Sequence, residues 1–308
     1  MNRRGWALFV VASVLGGMPY LLIKIAVEDF PPLTIVWLRC TIAAVVLLPF
    51  MLRRTTITQL KEHWRPAVLL SLAQISGPFT LIAMGEQHIT SSMAGLLIAL
   101  EPLVVALLVM RFDRTEPVNA RLMAGLISGV TGVVVLVGFT MGGDRLAWLG
   151  AGMVLLATIG YSIGILLVKW RLSQVSPIGL SAATLGFNAV LLAPAGAVGL
   201  LTATPTLNSS LSIVVLGVAC TAVAFVAYYA LIVVAGAGRA SVVTYLNPAV
   251  AVVLGALFLS EPMTSSMIAG LVLVLVGSWL ATGPSTPPPE IPIDSEMVDA
   301  SESRPPDS

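Results

Sequence analysis

Apolar residues run along this chain in long blocks, and short clusters of charge or proline separate the blocks. A helix that crosses the hydrocarbon core of a bilayer needs ~20 mostly apolar residues, each advancing about 1.5 Å across ~30 Å. Ten such stretches can be cut, at about residues 5–26, 33–52, 66–85, 91–111, 121–140, 147–169, 178–201, 210–234, 240–260 and 264–282. The cuts fall at Pro31-Pro32, Arg53-Arg54, Arg111–Arg114, Asp144-Arg145 and Lys169–Arg171, and most thinly at Ser260-Glu261-Pro262. Strands are not expected, because the runs are too long and lack strict alternation. The bases orient the spans: with the N-terminus in the cytoplasm, twelve Lys or Arg fall on the cytoplasmic side, and Arg145 and Lys24 on the outer side. That bias, with an even number of spans, puts both termini in the cytoplasm.

Composition agrees with a lipid environment. The 308 residues are 57% hydrophobic and 10% charged, against about 25% charged in a soluble domain. The net charge of +1 hides an asymmetry: residues 283–308 carry six acids, one base and seven prolines among small residues. Such a tail cannot bury a core and is expected to be a disordered acidic segment. The remaining bases are spread over many short loops and do not form a face for nucleic acid. Cys40 and Cys220 each lie inside an apolar run, where an unpaired Cys packs as a small hydrophobe. No metal-ligand spacing is present, and no cofactor is expected. Met1–Leu15 has the basic and apolar regions of a signal peptide, but it has a counterpart later in the chain and reads as a retained first helix.

That counterpart emerges when the chain is shifted by 145 residues. Gly5 then meets Gly150, Lys24 meets Lys169, Pro32 meets Pro177, and Pro49 meets Pro194. Glu116-Pro117 meets Glu261-Pro262, Gly125 meets Gly270, and Gly132 meets Gly277, while Pro102 meets Pro248 one residue out of step. Matches of Gly, Pro, Lys and Glu at one shift carry weight that Leu, Val or Ala matches would not. Residues 1–142 and 143–282 thus read as two five-helix repeats. Five is odd, so the second copy enters the membrane from the opposite side. Inverted repeats about an in-plane axis are a transporter architecture in which exchange of the two halves' shapes opens a central site to each side in turn.

The stretches LIKIAVEDFPPLTIVWLRCTIAAVVLLP, MGEQHITSSMAGLLIALEPLVVALL, RASVVTYLNPAVAVVLGALFLSEPMT and AGLVLVLVGSWL resemble the drug/metabolite transporter superfamily, of the EamA-repeat type. The resemblance covers about residues 5–282. It implies a ten-helix secondary carrier in a bacterial inner membrane that exports amino acids, other metabolites or drugs. The first-half motif normally ends in Gly-Glu; here Arg114-Thr115-Glu116 stands there, so only the Glu carries over.

Glu101 is the chief candidate for chemistry. A charge in mid-span costs about 3 kcal/mol on insertion scales and should face a cavity or a partner. Pro102 removes a backbone donor at the same depth, and the repeat partner of this pair is Asn247-Pro248. Two readings stand: Glu101 contacts substrate or binds a coupling proton, or it is a neutral or Arg-paired structural acid. Arg39 in span two matches the family's Leu-Arg pattern; it either snorkels, pairs with Glu101, or binds an anion. Trp37, Gln74, Tyr161, Asn188, Tyr228 and Tyr245 are further candidates for a substrate path, with helix-to-helix bonding or interface belts as the alternatives. Gly16, Gly17 and Pro19 in span one, and Gly160 and Gly164 in span six, suggest weakened helices at a moving gate.

Rival functions fit less well. No Walker loop or soluble domain supports an ATP-driven pump. Two histidines, His63 and His88, in or near loops of the first half do not make an intramembrane metalloenzyme. A channel or a non-transporting membrane scaffold remains the alternative to a carrier. Substrate identity, coupling ion and oligomeric state, monomer or homodimer, are not legible.

Overall fold

A computed structural model describes residues 3–112, 120–140, 144–235 and 243–282. The expected disordered tail and the Glu116-Pro117 motif lie outside them. Within them the chain is helical, with no strands. The helices are α1 (Arg3–Ala26), α2 (Pro32–Met51), a short polar α3 (Arg54–Glu62), α4 (Trp64–Gly85), α5 (Ser91–Phe112), α6 (Ala120–Thr140) and α7 (Arg145–Arg171). There follow α8 (Pro177–Leu191), α9 (Ala193–Leu200), α10 (Leu207–Tyr228, continuing to Ala235), α11 (Val243–Leu259) and α12 (Ser265–Thr282). Six of these, α1, α2, α4, α5, α7 and α10, are long and apolar enough to cross a membrane. The pair α8–α9 makes a seventh if its 57° bend is counted as one span, and α6, α11 and α12 contain shorter apolar helices. The bend falls at Leu192, two residues before Pro194, where a proline withholds a backbone donor and restricts its predecessor.

The outer surface is made for lipid. Val45, Val130, Val190, Leu201 and Leu257 are all more than half exposed, a pattern that in water would be an aggregation surface. Five of the six tryptophans, Trp6, Trp64, Trp148, Trp170 and Trp279, are exposed and sit within a turn of a helix end. Rings at that height match the belts that anchor helices at the membrane–water interface.

The interior is assembled from helices of both halves. α6 packs on α12 and α2 on α8; α1 packs on α11 and α10; α7 packs on α5 and α4. Each pairing maps onto itself or onto another when residues are exchanged at the repeat shift. Close approach is set by glycine. A Cβ on Gly277 would lie 2.6 Å from the Gly125 carbonyl oxygen, and one on Gly17 would lie 2.5 Å from that of Asn247. α1 and α7 are continuous helices. The glycines expected to weaken them are instead contact points: Gly16 lies against Asn247, Gly160 against Ala73 and Pro78, and Gly164 against Gln74.

The departures from α-helix lie elsewhere. α4 is π-helical over Leu72–Ser76 and α10 over Val218–Val223. The two segments start 146 residues apart, at the repeat spacing. α5 is interrupted by a turn at Ala99-Leu100, immediately before Glu101-Pro102.

Loop contacts sort the two ends of the bundle. At one end Asp29, between α1 and α2, accepts from Thr206 N at 3.1 Å and from Thr206 Oγ1 at 2.6 Å, just before α10. Lys24 at that end bonds the loop after α4. At the other end, Gln59 of α3 bonds Gln174 and Ser176 between α7 and α8. The loop after α1 and its counterpart after α7 therefore lie at opposite ends.

Candidate functional site

The turn in α5 and the facing stretch of α11 enclose a small cavity. Tyr20 of α1, Gly95, Ile98, Ala99, Glu101 and Pro102 of α5, and Thr244, Asn247 and Pro248 of α11 line it. Both polar–proline pairs singled out in the sequence thus meet at one place, with one contribution from each half. The cavity holds about 40 Å³. That is room for a few waters, far below the ~300 Å³ of a small-molecule pocket.

The two polar groups differ in how they are held. Asn247 is locked: its side-chain amide faces Val243 O and Ser13 O, and with its nitrogen turned toward these acceptors it donates to them at 3.0 Å and 3.2 Å. Gly16 makes this possible, since a Cβ there would sit 2.6 Å from the Asn247 side chain. Glu101 is held only through its backbone, whose carbonyl accepts from Ser162 Oγ at 3.3 Å. Among the described residues its carboxylate has no hydrogen-bond or ion-pair partner. It is half-buried and opens into the cavity, which leaves it available to water, a proton or a ligand. Pro102 stands at the α5 interruption, whereas Pro19 and Pro248 lie inside unbroken helices.

Arg39 does not pair with Glu101. Its Nε donates to Thr221 Oγ1 at 2.8 Å, and its guanidinium carbon lies 3.8 Å from the centre of the Phe79 ring. Thr221 belongs to the π-helical segment of α10 and passes its own proton to Leu216 O at 2.8 Å. Tyr161 packs edge-on against the same Phe79 at 6.4 Å. Arg39 is thus a buried cation, 7% exposed, held by a ring face and one hydroxyl. Tyr20 lies within electrostatic reach of Arg39, Tyr161 and Glu101, which links this cluster to the cavity.

The remaining candidates are distributed differently. Asn188 is fully buried, and its amide nitrogen donates to Thr184 O at 2.8 Å and to Ser71 Oγ. Its oxygen accepts from Ser76 Oγ. It ties α8 to the π-helical segment of α4, much as Arg39 ties α2 to that of α10. Gln74 of that segment lies against Gly164. Trp37 packs on Gly196 of α9. Tyr228 packs beside Ala12, Leu231 and Val243. Tyr245 lies in an open apolar groove with Leu275, Val276 and Trp279, and donates to Ser278 O at 3.4 Å. None of these five lines the Glu101 cavity. Tyr20 and Thr244 do, and the sequence did not single them out; Tyr20 looks like any aromatic near a helix end.

Against known proteins, the model of the EamA-like transporter family matches twice, over residues 3–138 and 148–283. This chain belongs to the EamA-like transporter family. The family and its relatives are named as transporters, not enzymes. The uncharacterized transporter YoaV of Bacillus subtilis is 26% identical, over 89% of this chain and 94% of its own length. The uncharacterized inner membrane transporter YedA of Escherichia coli is 27% identical, over 89% and 91%. A probable amino-acid metabolite efflux pump of Escherichia coli is 22% identical, over 91% and 95%. One solved crystal structure superposes with a TM-score of 0.63 at 20% identity, covering 92% of this chain and 98% of that one. This EamA-family chain therefore shares its fold, at nearly full length, with a solved protein.

Proposed function

We propose that this protein is a secondary active carrier with ten spans in two inverted repeats, residues 1–142 and 143–282, that exports a small organic molecule by alternating access. The observation that carries this reading is the Glu101 carboxylate, unpartnered among the described residues, in a cavity between α5 and α11. An intramembrane acid is expensive, and one that no described protein group neutralises is explained by something that comes and goes. The cavity is too small for a metabolite. The structure thus fits a closed step of a cycle better than an open channel. Opening requires α5 and α11 to part, and the α5 interruption at Ala99-Leu100 supplies a hinge beside the site.

Glu101, Asn247 and Tyr20 are then the substrate contacts, with Arg39 and Tyr161 next along the path. Glu101 suits an ammonium group, and Arg39 suits a carboxylate if the Thr221 bond is exchanged for one to substrate. An amino-acid-like solute, of the kind in the name of the Escherichia coli efflux relative, meets both demands. The bias of basic residues supports an inner-membrane protein with both termini in the cytoplasm.

The test is solute flux in proteoliposomes with and without a pH gradient. Wild type should move a labelled amino-acid substrate at carrier rates, and Glu101→Gln should lose at least tenfold. Normal flux in Glu101→Gln at every pH would remove Glu101 from the mechanism. Conductance far above carrier turnover would make the protein a channel.

A further inference from the structure

The loop between α4 and α5 holds a second acid that the substrate site does not use. Glu86 follows the last residue of α4, is 0% exposed, and among the described residues has no hydrogen-bond partner for either carboxylate oxygen. Lys24 is beside it but faces elsewhere: its Nζ donates to the backbone oxygens of Glu86, at 2.5 Å, and Ile89, at 2.7 Å. A buried carboxylate with no donor is tolerated as the neutral acid and is costly as the anion.

A second acid at the same end makes the contrast. Glu261, beyond α11, accepts from Ser91 N at 2.8 Å and Ser91 Oγ at 3.0 Å, and from Ser92 N at 3.0 Å and Ser92 Oγ. Its carboxyl oxygens thus meet four donors at the start of α5. This clasp joins the second half to the first at the end of the bundle that holds Glu86. Among the described residues, one acid at this end thus meets four donors and the other meets none.

Charged and titratable groups reach Glu86 from several elements: Lys24 and Tyr20 of α1, Arg39 of α2 and Glu261 beyond α11, and His88 stands two residues further along its own loop. Against the preceding residue, Gly85, α7 presents Gly150 and Val154. Burial pushes the Glu86 carboxyl well above the ordinary range; Lys24 opposes this, Glu261 reinforces it, and Arg39 opposes it.

We infer that Glu86 is a proton-binding site that controls this end of the bundle, which closes over the neutral acid and opens to water when the acid gives its proton up. The inference rests on the proposed alternating access, because it needs this end to open. The sign follows from linkage. In the open, hydrated state the carboxyl returns to about 4.3, so closing takes up a proton. Closure is unaffected by pH below that value and weakens with rising pH above it. The change is at most about tenfold per pH unit, and it levels off above the raised closed-state value.

Two measurements test this. Ile89→Cys places a thiol at a buried position in the same loop, while Cys40 and Cys220 are themselves buried. Its labelling by a membrane-impermeant thiol reagent, corrected for the reagent's rate with free cysteine, should accelerate with pH. In the Glu86→Gln background, which mimics the neutral acid, it should stay slow and flat. Identical pH profiles in the two backgrounds would overturn the inference. If Glu86→Gln does not assemble, pH-independent labelling in the Ile89→Cys protein alone would overturn it equally. The infrared carbonyl band of a protonated carboxylic acid should be present in the purified protein at neutral pH, retained in Glu101→Gln and diminished in Glu86→Gln. An undiminished band in Glu86→Gln would also overturn it. The infrared band reads the proton without transport, so absence of solute flux in wild type sinks the carrier reading and leaves the proton site standing.

Discussion

Gly17→Ala is a small change at a close backbone approach between the two halves. The new methyl would lie 2.5 Å from the Asn247 carbonyl oxygen and 2.6 Å from Val250 Cβ. Neither neighbour is the free end of a flexible side chain: one is backbone inside α11, and the other is a β-branched stem. The contact is relieved only if α1 and α11 separate. Overpacking of that kind costs about 1–3 kcal/mol, and replacing a mid-helix Gly by Ala returns at most ~1 kcal/mol of helix propensity. Because both neighbours are rigid, the steric effect wins, for a net loss of up to about 2 kcal/mol. Gly152→Ala is the matched control, since nothing lies within 4 Å of a Cβ there; it should be neutral or slightly stabilising. Thermal denaturation in detergent at one scan rate reads the difference, at roughly 2–4 °C per kcal/mol for a chain approaching this size. Separating α1 from α11 also shifts Tyr20 against Asn247, so flux should fall with stability. A Gly17→Ala protein as stable as Gly152→Ala would refute the claim that this backbone contact fixes the helices around the cavity.

Two further substitutions separate structural from functional roles. Asn188→Leu leaves Ser71 Oγ and Ser76 Oγ without their amide partner and should cost about 1–3 kcal/mol in thermal stability, with substrate KM unchanged in the protein that remains folded; a KM shift without destabilisation would instead place Asn188 in the substrate path. Asp29→Asn tests the loop contact at the Glu86 end. The hydroxyls of Ser209 and Thr206 hold the Asp29 carboxyl below its ordinary value, so its contribution is fully present above about 3.9 and is lost as pH falls through the lowered value. The wild-type advantage over Asp29→Asn in melting temperature should be constant near neutrality and shrink in acid, and an advantage that grows on acidification would contradict the assignment.

How much of this was legible in the sequence depends on the kind of signal. Span positions follow from apolar run length, and helix edges from Pro31-Pro32 and Asp144-Arg145 agree closely with the structure. The repeat was visible because Gly and Pro are rare enough in such a composition for coincidences to count. Glu101-Pro102 and Asn247-Pro248 were found through that repeat, and they meet. The π-helical segments were invisible: LAQIS and VACTAV carry no breaker, and only lateral packing shows that the extra residue per turn aims Ser76 and Thr221 at their partners. Glu86 did not stand out in the sequence, because burial of a loop residue depends on contacts that the local sequence does not show. Asn188 read as a path candidate for the opposite reason, since its partners come from a helix more than a hundred residues away. The polar α3 escaped notice because a search for apolar runs does not register it.

The most direct test concerns which way each half threads the membrane. Glu28 and Ser173 are exposed, stand 145 residues apart, and occupy equivalent loops after α1 and α7. Single substitutions Glu28→Cys and Ser173→Cys, labelled in intact cells with an impermeant thiol reagent, should give opposite answers. Glu28→Cys is expected to react from outside, and Ser173→Cys only after permeabilisation. Labelling of both from the same face would contradict the inverted repeat, and with it the carrier mechanism built on it.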